Sequence, residues 1–133
     1  MEKHSHIFHL AVPCKDLEET VDFYESGLGC RVARRYADRA TLDFFGDQVV
    51  LHLSPENIDK APKMYPRHFG VTFRERAVYD AFLKRVREAG LEFFNEPFVR
   101  FAGKPEEHHT FFLKDPSNNL IEVKYYVDPA FVY

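Results

Sequence analysis

The amino-acid sequence predicts an α+β fold in which one unit, a strand, a helix and three further strands, is used twice within a single domain spanning 1–133. The halves cover about residues 5–54 and 67–127. Three observations carry this. Two histidine-led alternating runs, His9-Leu10-Ala11-Val12 and His68-Phe69-Gly70-Val71-Thr72-Phe73, read as strands. An amphipathic helical stretch closed by glycine follows each run. The stretch between the halves, 55–66, carries Pro55, Pro62 and Pro66 and reads as a connecting loop.

In the first half, Phe8, Leu10 and Val12 alternate with Ile7, His9 and Ala11, and Pro13 is expected to end the strand. Asp16 stands where an N-cap belongs. Leu17, Val21, Tyr24 and Leu28 then form one apolar stripe, and Gly27 and Gly29 close the helix. Strands are expected at 30–37 and 40–45, with Gly46-Asp47 as a hairpin turn leading into Val49-Val50-Leu51-His52-Leu53.

The pattern restarts with a strand at 67–73 and a helix near 76–89, in which Val78, Tyr79, Phe82, Leu83 and Val86 face inward and Gly90 is the C-cap. Strands follow near 91–98, 108–114 and 119–127. Asp115-Pro116-Ser117-Asn118 forms the turn between the last two.

Composition narrows the function. A net charge of −3 with cations and anions interspersed leaves no footprint for phosphate backbones, so nucleic acid is excluded as a partner. No apolar run reaches the roughly 20 residues of a membrane span, and the N-terminus lacks a signal pattern; no membrane partner and a cytoplasmic location are the expectations. Hydrophobic residues at 45%, including fourteen Phe and seven Tyr, supply a real core. Cys14 and Cys30 lack CxxC spacing and are expected to be idle thiols.

Strand parity then locates the chemistry. If each helix covers one face of its sheet, the other face curves around a cavity. The covered sets are Phe8, Leu10 and Val12; Val49, Leu51 and Leu53; Phe69, Val71 and Phe73; and Ile121 and Val123. His6 falls on the covered side. His9, His52, His68 and Glu122 fall on the cavity face, on the first and fourth strands of both halves, so the repeat pairs His9 with His68 and His52 with Glu122. A lone strand histidine is ordinarily a satisfied polar residue. Four such groups at repeat-related places point to a metal site, because imidazole and carboxylate together suit first-row divalent metals.

Further residues share the expected cavity face. His108, Thr110 and Phe112 lie along the seventh strand and Tyr126 on the side of Glu122, so His108 and Tyr126 are candidate catalytic groups for moving protons. The alternative for His108-His109, after Glu106-Glu107, is a solvated strand start. Phe45, Phe94, Phe98 and Phe101 either line an apolar pocket or fill the core. Arg100 and Lys104, in a loop with Gly103, either close over an anionic substrate or are solvated loop charges.

Several stretches together resemble the vicinal oxygen chelate superfamily, which includes glyoxalase I, extradiol dioxygenases, fosfomycin-resistance transferases and bleomycin-resistance proteins. They are His9 before Val12, Asp16-Leu17, Phe23-Tyr24 and Leu28-Gly29, then His68-Phe69-Gly70-Val71, then Asp115-Pro116 followed by Asn119-Leu120-Ile121-Glu122. The resemblance covers nearly the whole chain, and the Asp-Pro turn before an apolar-Glu strand is its most specific part. It implies paired βαβββ modules forming a curved mixed sheet around a metal-binding cavity, with the helices on the outer face. It also implies a small-molecule substrate, a divalent metal held by His9, His68 and Glu122, and a homodimer.

At the remaining ligand position, where glyoxalase I has a glutamate that serves as base, this sequence has His52. Isomerising a hemithioacetal needs a mobile carboxylate, which a metal-bound histidine replaces poorly. Two histidines and one carboxylate match the facial triad of non-haem Fe(II) oxygenases, leaving His52 as a fourth ligand or a substrate-contacting acid or base. The expectation is therefore a dioxygenase with Fe(II) favoured over Mn, Ni, Co or Zn. The alternatives are a glyoxalase I-like lyase or isomerase and a metal-free drug-sequestering module. Thiol transfer to fosfomycin fits poorly, since Ala11 stands where those enzymes often place a polar or thiol residue.

Overall fold

The computed structural model describes residues 5–133, and they form two four-stranded sheets. The chain divides into two compact units, one made of the described residues up to Lys60 with Pro116–Asn119, the other of Ala61–Asp115 with Leu120–Tyr133. Each unit follows the predicted βαβββ order. The fold is α+β.

In the first unit, β1 (His9–Cys14), α1 (Leu17–Asp22), β2 (Arg31–Arg35), β3 (Arg39–Phe44) and β4 (Asp47–Leu53) build a sheet of order β1-β4-β3-β2. The β1–β4 pair is parallel and the others antiparallel. Asp16 caps α1 as expected, its Oδ1 accepting the Glu19 N–H at 2.9 Å, and the helix continues as a π-turn over Phe23–Gly27. Pro13 does not end β1. It lies opposite His52 in an edge strand, where a residue without an N–H leaves no ladder bond unmade. The β3–β4 turn is Phe45-Gly46, one residue earlier than expected, because both take positive φ, 53° and 93°, and Phe44 pairs with Asp47.

The second unit repeats the plan with β5 (Phe69–Phe73), α2 (Arg76–Glu88), β6 (Phe93–Arg100), β7 (His108–Lys114) and β8 (Leu120–Tyr126), ordered β5-β8-β7-β6. The helix α2 buries Tyr79, Phe82 and Val86, each burial being worth roughly 1.5–3 kcal/mol for a large side chain. The Tyr79 ring lies 5.6 Å from Phe111 and 6.3 Å from Tyr125, and the Phe82 ring lies 5.3 Å from Phe73. Burial, with the Asp80 charge beside it and Arg76 partly opposing, pushes the Tyr79 phenol up to about 12, so it packs as a neutral group.

In β4 and β8, Val49, Leu51, Ile121 and Val123 of the covered set are buried as expected, whereas Phe69, Val71 and Phe73 of β5 are half-buried. Parity fails at the ends, where packing is incomplete: Phe8 and His6 precede β1 and are exposed, Leu53 ends β4 at 43% exposure, and Val78 lies outside the α2 contact stripe at 45%. Cys14 and Cys30 are buried and in no disulfide. Residues 116–119 cluster with the first unit. There the Lys15 N–H donates to Ser117 Oγ, Thr20 Oγ1 bonds Ser117 Oγ, and the Asn118 and Asn119 amides donate to the carbonyls of Asp59 and Pro13.

Candidate metal centre

In the second unit the side chains that α2 leaves uncovered come together on one face. The register sets Glu122 opposite Gly70 and Phe112, Lys124 opposite Thr72 and Thr110, and Tyr126 opposite His108. His68 immediately precedes β5. Its Nε2 lies 3.1 Å from Glu122 Oε1, while the buried Thr110 hydroxyl donates to Glu122 Oε2 at 2.7 Å. Lys124 Nζ stands 3.9 Å from Glu122 Oε1 and 3.4 Å from the Tyr126 hydroxyl. His68, Gly70, Thr72, Glu122 and Lys124 line a cavity of about 230 Å3.

The donor chemistry fits a divalent metal. A backbone carbonyl only accepts, so the 2.5 Å contact from His68 Nδ1 to the Met64 oxygen fixes the ring proton on Nδ1. In the neutral ring Nε2 then carries a lone pair aimed at a carboxylate oxygen. Two electron-pair donors converge, and a proton or a metal ion must sit between them. The carbonyl behind the imidazole and the hydroxyl behind the carboxylate are the supports that orient metal ligands. Glycine at 70 permits the arrangement, since a Cβ there would lie 1.7 Å from the Glu122 carbonyl oxygen.

The first unit places its histidine by a different device. His9 is exposed, and its Nδ1 lies 2.5 Å from Gln48 Oε1, an oxygen that again can only accept, so Nε2 is again the lone-pair atom. The register corrects the repeat pairing of His52 with Glu122. Ala11 pairs with Val50 as Gly70 pairs with Glu122, so Val50 holds the carboxylate's place and is buried. His52, opposite Pro13, matches Lys124 two residues further along and is exposed at the end of β4. Sequence spacing alone could not reveal a two-residue offset between strands that share the same parity.

Among the described residues, no group of three or more His, Cys, Asp or Glu side chains is gathered into a metal cage. Of the predicted ligands, the structure brings together His68 and Glu122. His9 and His52 stand in the first unit.

His108 is buried, not a solvated strand start. Its Nδ1 lies 2.9 Å from the Glu106 carbonyl oxygen, leaving Nε2 as an acceptor, and its ring stacks 4.6 Å from Tyr126. Of the predicted apolar lining, Phe45, Phe94 and Phe101 are exposed and Phe98 is half-buried. Arg100 is not in a loop; it closes β6, whereas Lys104 does lie in the exposed turn after it. Gln48, Met64, Thr110 and Lys124 took no part in the predicted ligand set. A signal existed for Thr110 and Lys124, which share the parity of Glu122, but none for Met64, whose contribution is a main-chain oxygen.

Comparison with known proteins agrees with this architecture. The family model described as Glyoxalase/Bleomycin resistance protein/Dioxygenase superfamily matches residues 6–123. A glyoxalase/bleomycin resistance protein/dioxygenase from Alicyclobacillus acidocaldarius is 53% identical with a TM-score of 0.95, the match covering 100% of both chains. The glyoxalase domain-containing protein RDO1 of Mycosarcoma maydis is 29% identical over 124 residues, 90% of this chain and 68% of that protein. A variant of the fosfomycin resistance protein FosX from Listeria monocytogenes, complexed with Mn(II) and a dihydroxypropylphosphonic acid, shares the fold. Its TM-score is 0.69 at 17% identity, covering 90% of this chain and 88% of that one.

Proposed function

We propose a metal-dependent enzyme, proceeding from the fact that the chain belongs to the Glyoxalase/Bleomycin resistance protein/Dioxygenase superfamily. In this reading it is a dioxygenase-type enzyme acting on a small substrate that offers two neighbouring oxygens. The observation that carries it is the His68 Nε2 to Glu122 Oε1 approach at 3.1 Å, with each partner held from behind. His68 and Glu122 supply two ligands. His9 supplies the third, from the same chain or, in the homodimer the resemblance implies, from a second copy.

Held by these residues, a divalent ion would supply Lewis-acid polarisation of the substrate. The chain's own residues do the rest. Thr110 fixes the Glu122 carboxylate, and Gly70 lets the two backbones approach. His108, with its Nε2 lone pair available, is the proposed proton acceptor for a substrate hydroxyl, and Tyr126 and Lys124 are its neighbours on the same face. His52, exposed at the end of β4, serves as a substrate-contacting acid or base in this reading.

Val50 favours this over the glyoxalase I-like isomerase. That reaction needs a second, mobile carboxylate, and the place that answers to Glu122 in the first unit is aliphatic. The test is anaerobic reconstitution with Fe(II), followed by oxygen uptake with a panel of catechols. We expect about one iron per chain and uptake with some of the panel. Uptake with none, together with consumption of the methylglyoxal–glutathione adduct by the Ni, Co or Zn form, returns the isomerase. Protein that takes up no divalent ion returns the metal-free binding module.

A further inference from the structure

One cation on the cavity face of the second unit has no anionic partner among the described residues. Lys124 lies 3.9 Å from Glu122 Oε1, but Arg100 meets only aromatic groups. Its guanidinium carbon sits 5.1 Å from the Tyr65 ring centre and 4.9 Å from that of Phe101, and it donates a hydrogen bond to the Tyr65 hydroxyl. The β6–β7 register puts Arg100 opposite His108, on the face that carries Glu122, Lys124 and Tyr126.

Tyr65 connects this cation to the metal pair. Its ring meets the His68 ring edge-on at 5.7 Å and the Phe112 ring at 6.4 Å, while its hydroxyl faces the guanidinium. One aromatic ring therefore spans the interval between the imidazole of the metal pair and the arginine. That ring comes from a loop residue 46% exposed, so the side it turns away from Phe112 is open to solvent. A ligand ring taking the same interval points one edge at His68 and Glu122 and the opposite edge at Arg100. A guanidinium bonds a carboxylate through two parallel N–H groups, which a tyrosine hydroxyl cannot match.

We propose that Arg100 is a substrate-binding residue that recognises a carboxylate, and that the substrate is a small aromatic acid. Its vicinal oxygens face the His68–Glu122 pair, and its carboxylate replaces the Tyr65 hydroxyl on Arg100. The vicinal-oxygen half rests on the dioxygenase reading above; the carboxylate half rests on Arg100 and Tyr65 alone.

The test is calorimetric binding of a vicinal dihydroxybenzoate and of its neutral amide to the anaerobic Fe(II)-loaded protein, with oxygen uptake measured separately. The acid is expected to bind about tenfold or more tightly than the amide, the range of a charge-assisted bidentate contact. Arg100→Gln erases that preference by weakening the acid far more than the amide, Arg100→Lys keeps part of it, and Lys124→Met keeps it. Tyr65→Phe, which removes the competing hydroxyl, tightens acid binding. Equal affinity for acid and amide in the unsubstituted protein overturns the proposal, as does a preference that survives Arg100→Gln or disappears in Lys124→Met. An acid preference without oxygen uptake keeps the Arg100 assignment and removes the dioxygenase reading; uptake without the preference does the reverse.

Discussion

The two units share an element order and a sheet order, yet they hold their histidines in opposite surroundings. In the second unit His68 is backed by a main-chain carbonyl and faces a buried carboxylate that a buried threonine holds in place. In the first, His9 is exposed and backed by a side-chain amide, and the carboxylate's place is taken by Val50. A repeat of the backbone is thus not a repeat of the chemistry. The second unit brings an imidazole and a carboxylate together; the first carries His9 and His52 apart from any carboxylate at the level of Glu122, which Val50 occupies as part of the core.

If the difference is functional, breaking the second unit's half should cost the most. Glu122→Gln keeps the shape and an acceptor for Thr110 but removes the charge that a cation requires. Loss of a supporting group typically costs about 10–100-fold in metal affinity, so removing a ligand is expected to exceed about 100-fold. Metal content after reconstitution and dialysis checks it, with the fold followed by circular dichroism. His9→Ala is the companion. It is expected to weaken metal binding as well, and stoichiometric metal at unchanged affinity would reduce the centre to the second unit alone.

The backbone beneath the carboxylate sharpens the same contrast. A Cβ on Gly70 would stand 1.7 Å from the Glu122 main-chain oxygen, whereas Ala11, its counterpart opposite Val50, already carries one. Gly70→Ala is expected to destabilise the protein by about 3 kcal/mol, the upper end for overpacking, because a strand backbone yields less than a side chain. Ala11→Gly should cost no more than about 1 kcal/mol, the entropic cost of glycine in a strand. Urea unfolding measures both, and equal effects would mean that the two strand pairs approach alike.

Alternation and capping made most of the fold legible, because hydrophobic faces and Asp16-type caps are local properties of the chain. The pair His68 and Glu122 was legible for the same reason: parity excluded the face that α2 covers. Register was not legible. A shift of two residues preserves parity, so the sequence alone matches His52 to Glu122 although Val50 is the residue that lies at that level. The burial of His108 beneath Tyr126 was hidden by its acidic, exposed-looking neighbours Glu106 and Glu107. Arg100 reads as a loop residue in the sequence because nothing local distinguishes the last residue of β6 from the turn after it. Met64 could not have been found from residue types at all, since its contribution is a main-chain oxygen.

That last difference gives the smallest effect and the finest test. The proton on His68 is held by a carbonyl that no side-chain substitution removes, but the one on His9 is held by Gln48, which can be changed. Gln48→Ala frees the imidazole to rotate and to exchange its tautomer, and it removes no ligand. Metal affinity is expected to fall about tenfold, the lower end for a supporting group. Stability should change by less than about 0.5 kcal/mol, since the pair lies at an exposed strand start. Gln48→Glu, which keeps an oxygen acceptor against Nδ1, should recover most of the loss in a competition titration with a metal-binding indicator. If Gln48→Ala leaves the affinity unchanged while Glu122→Gln abolishes it, His9 is not a ligand, and the asymmetry between the units extends to the histidines themselves.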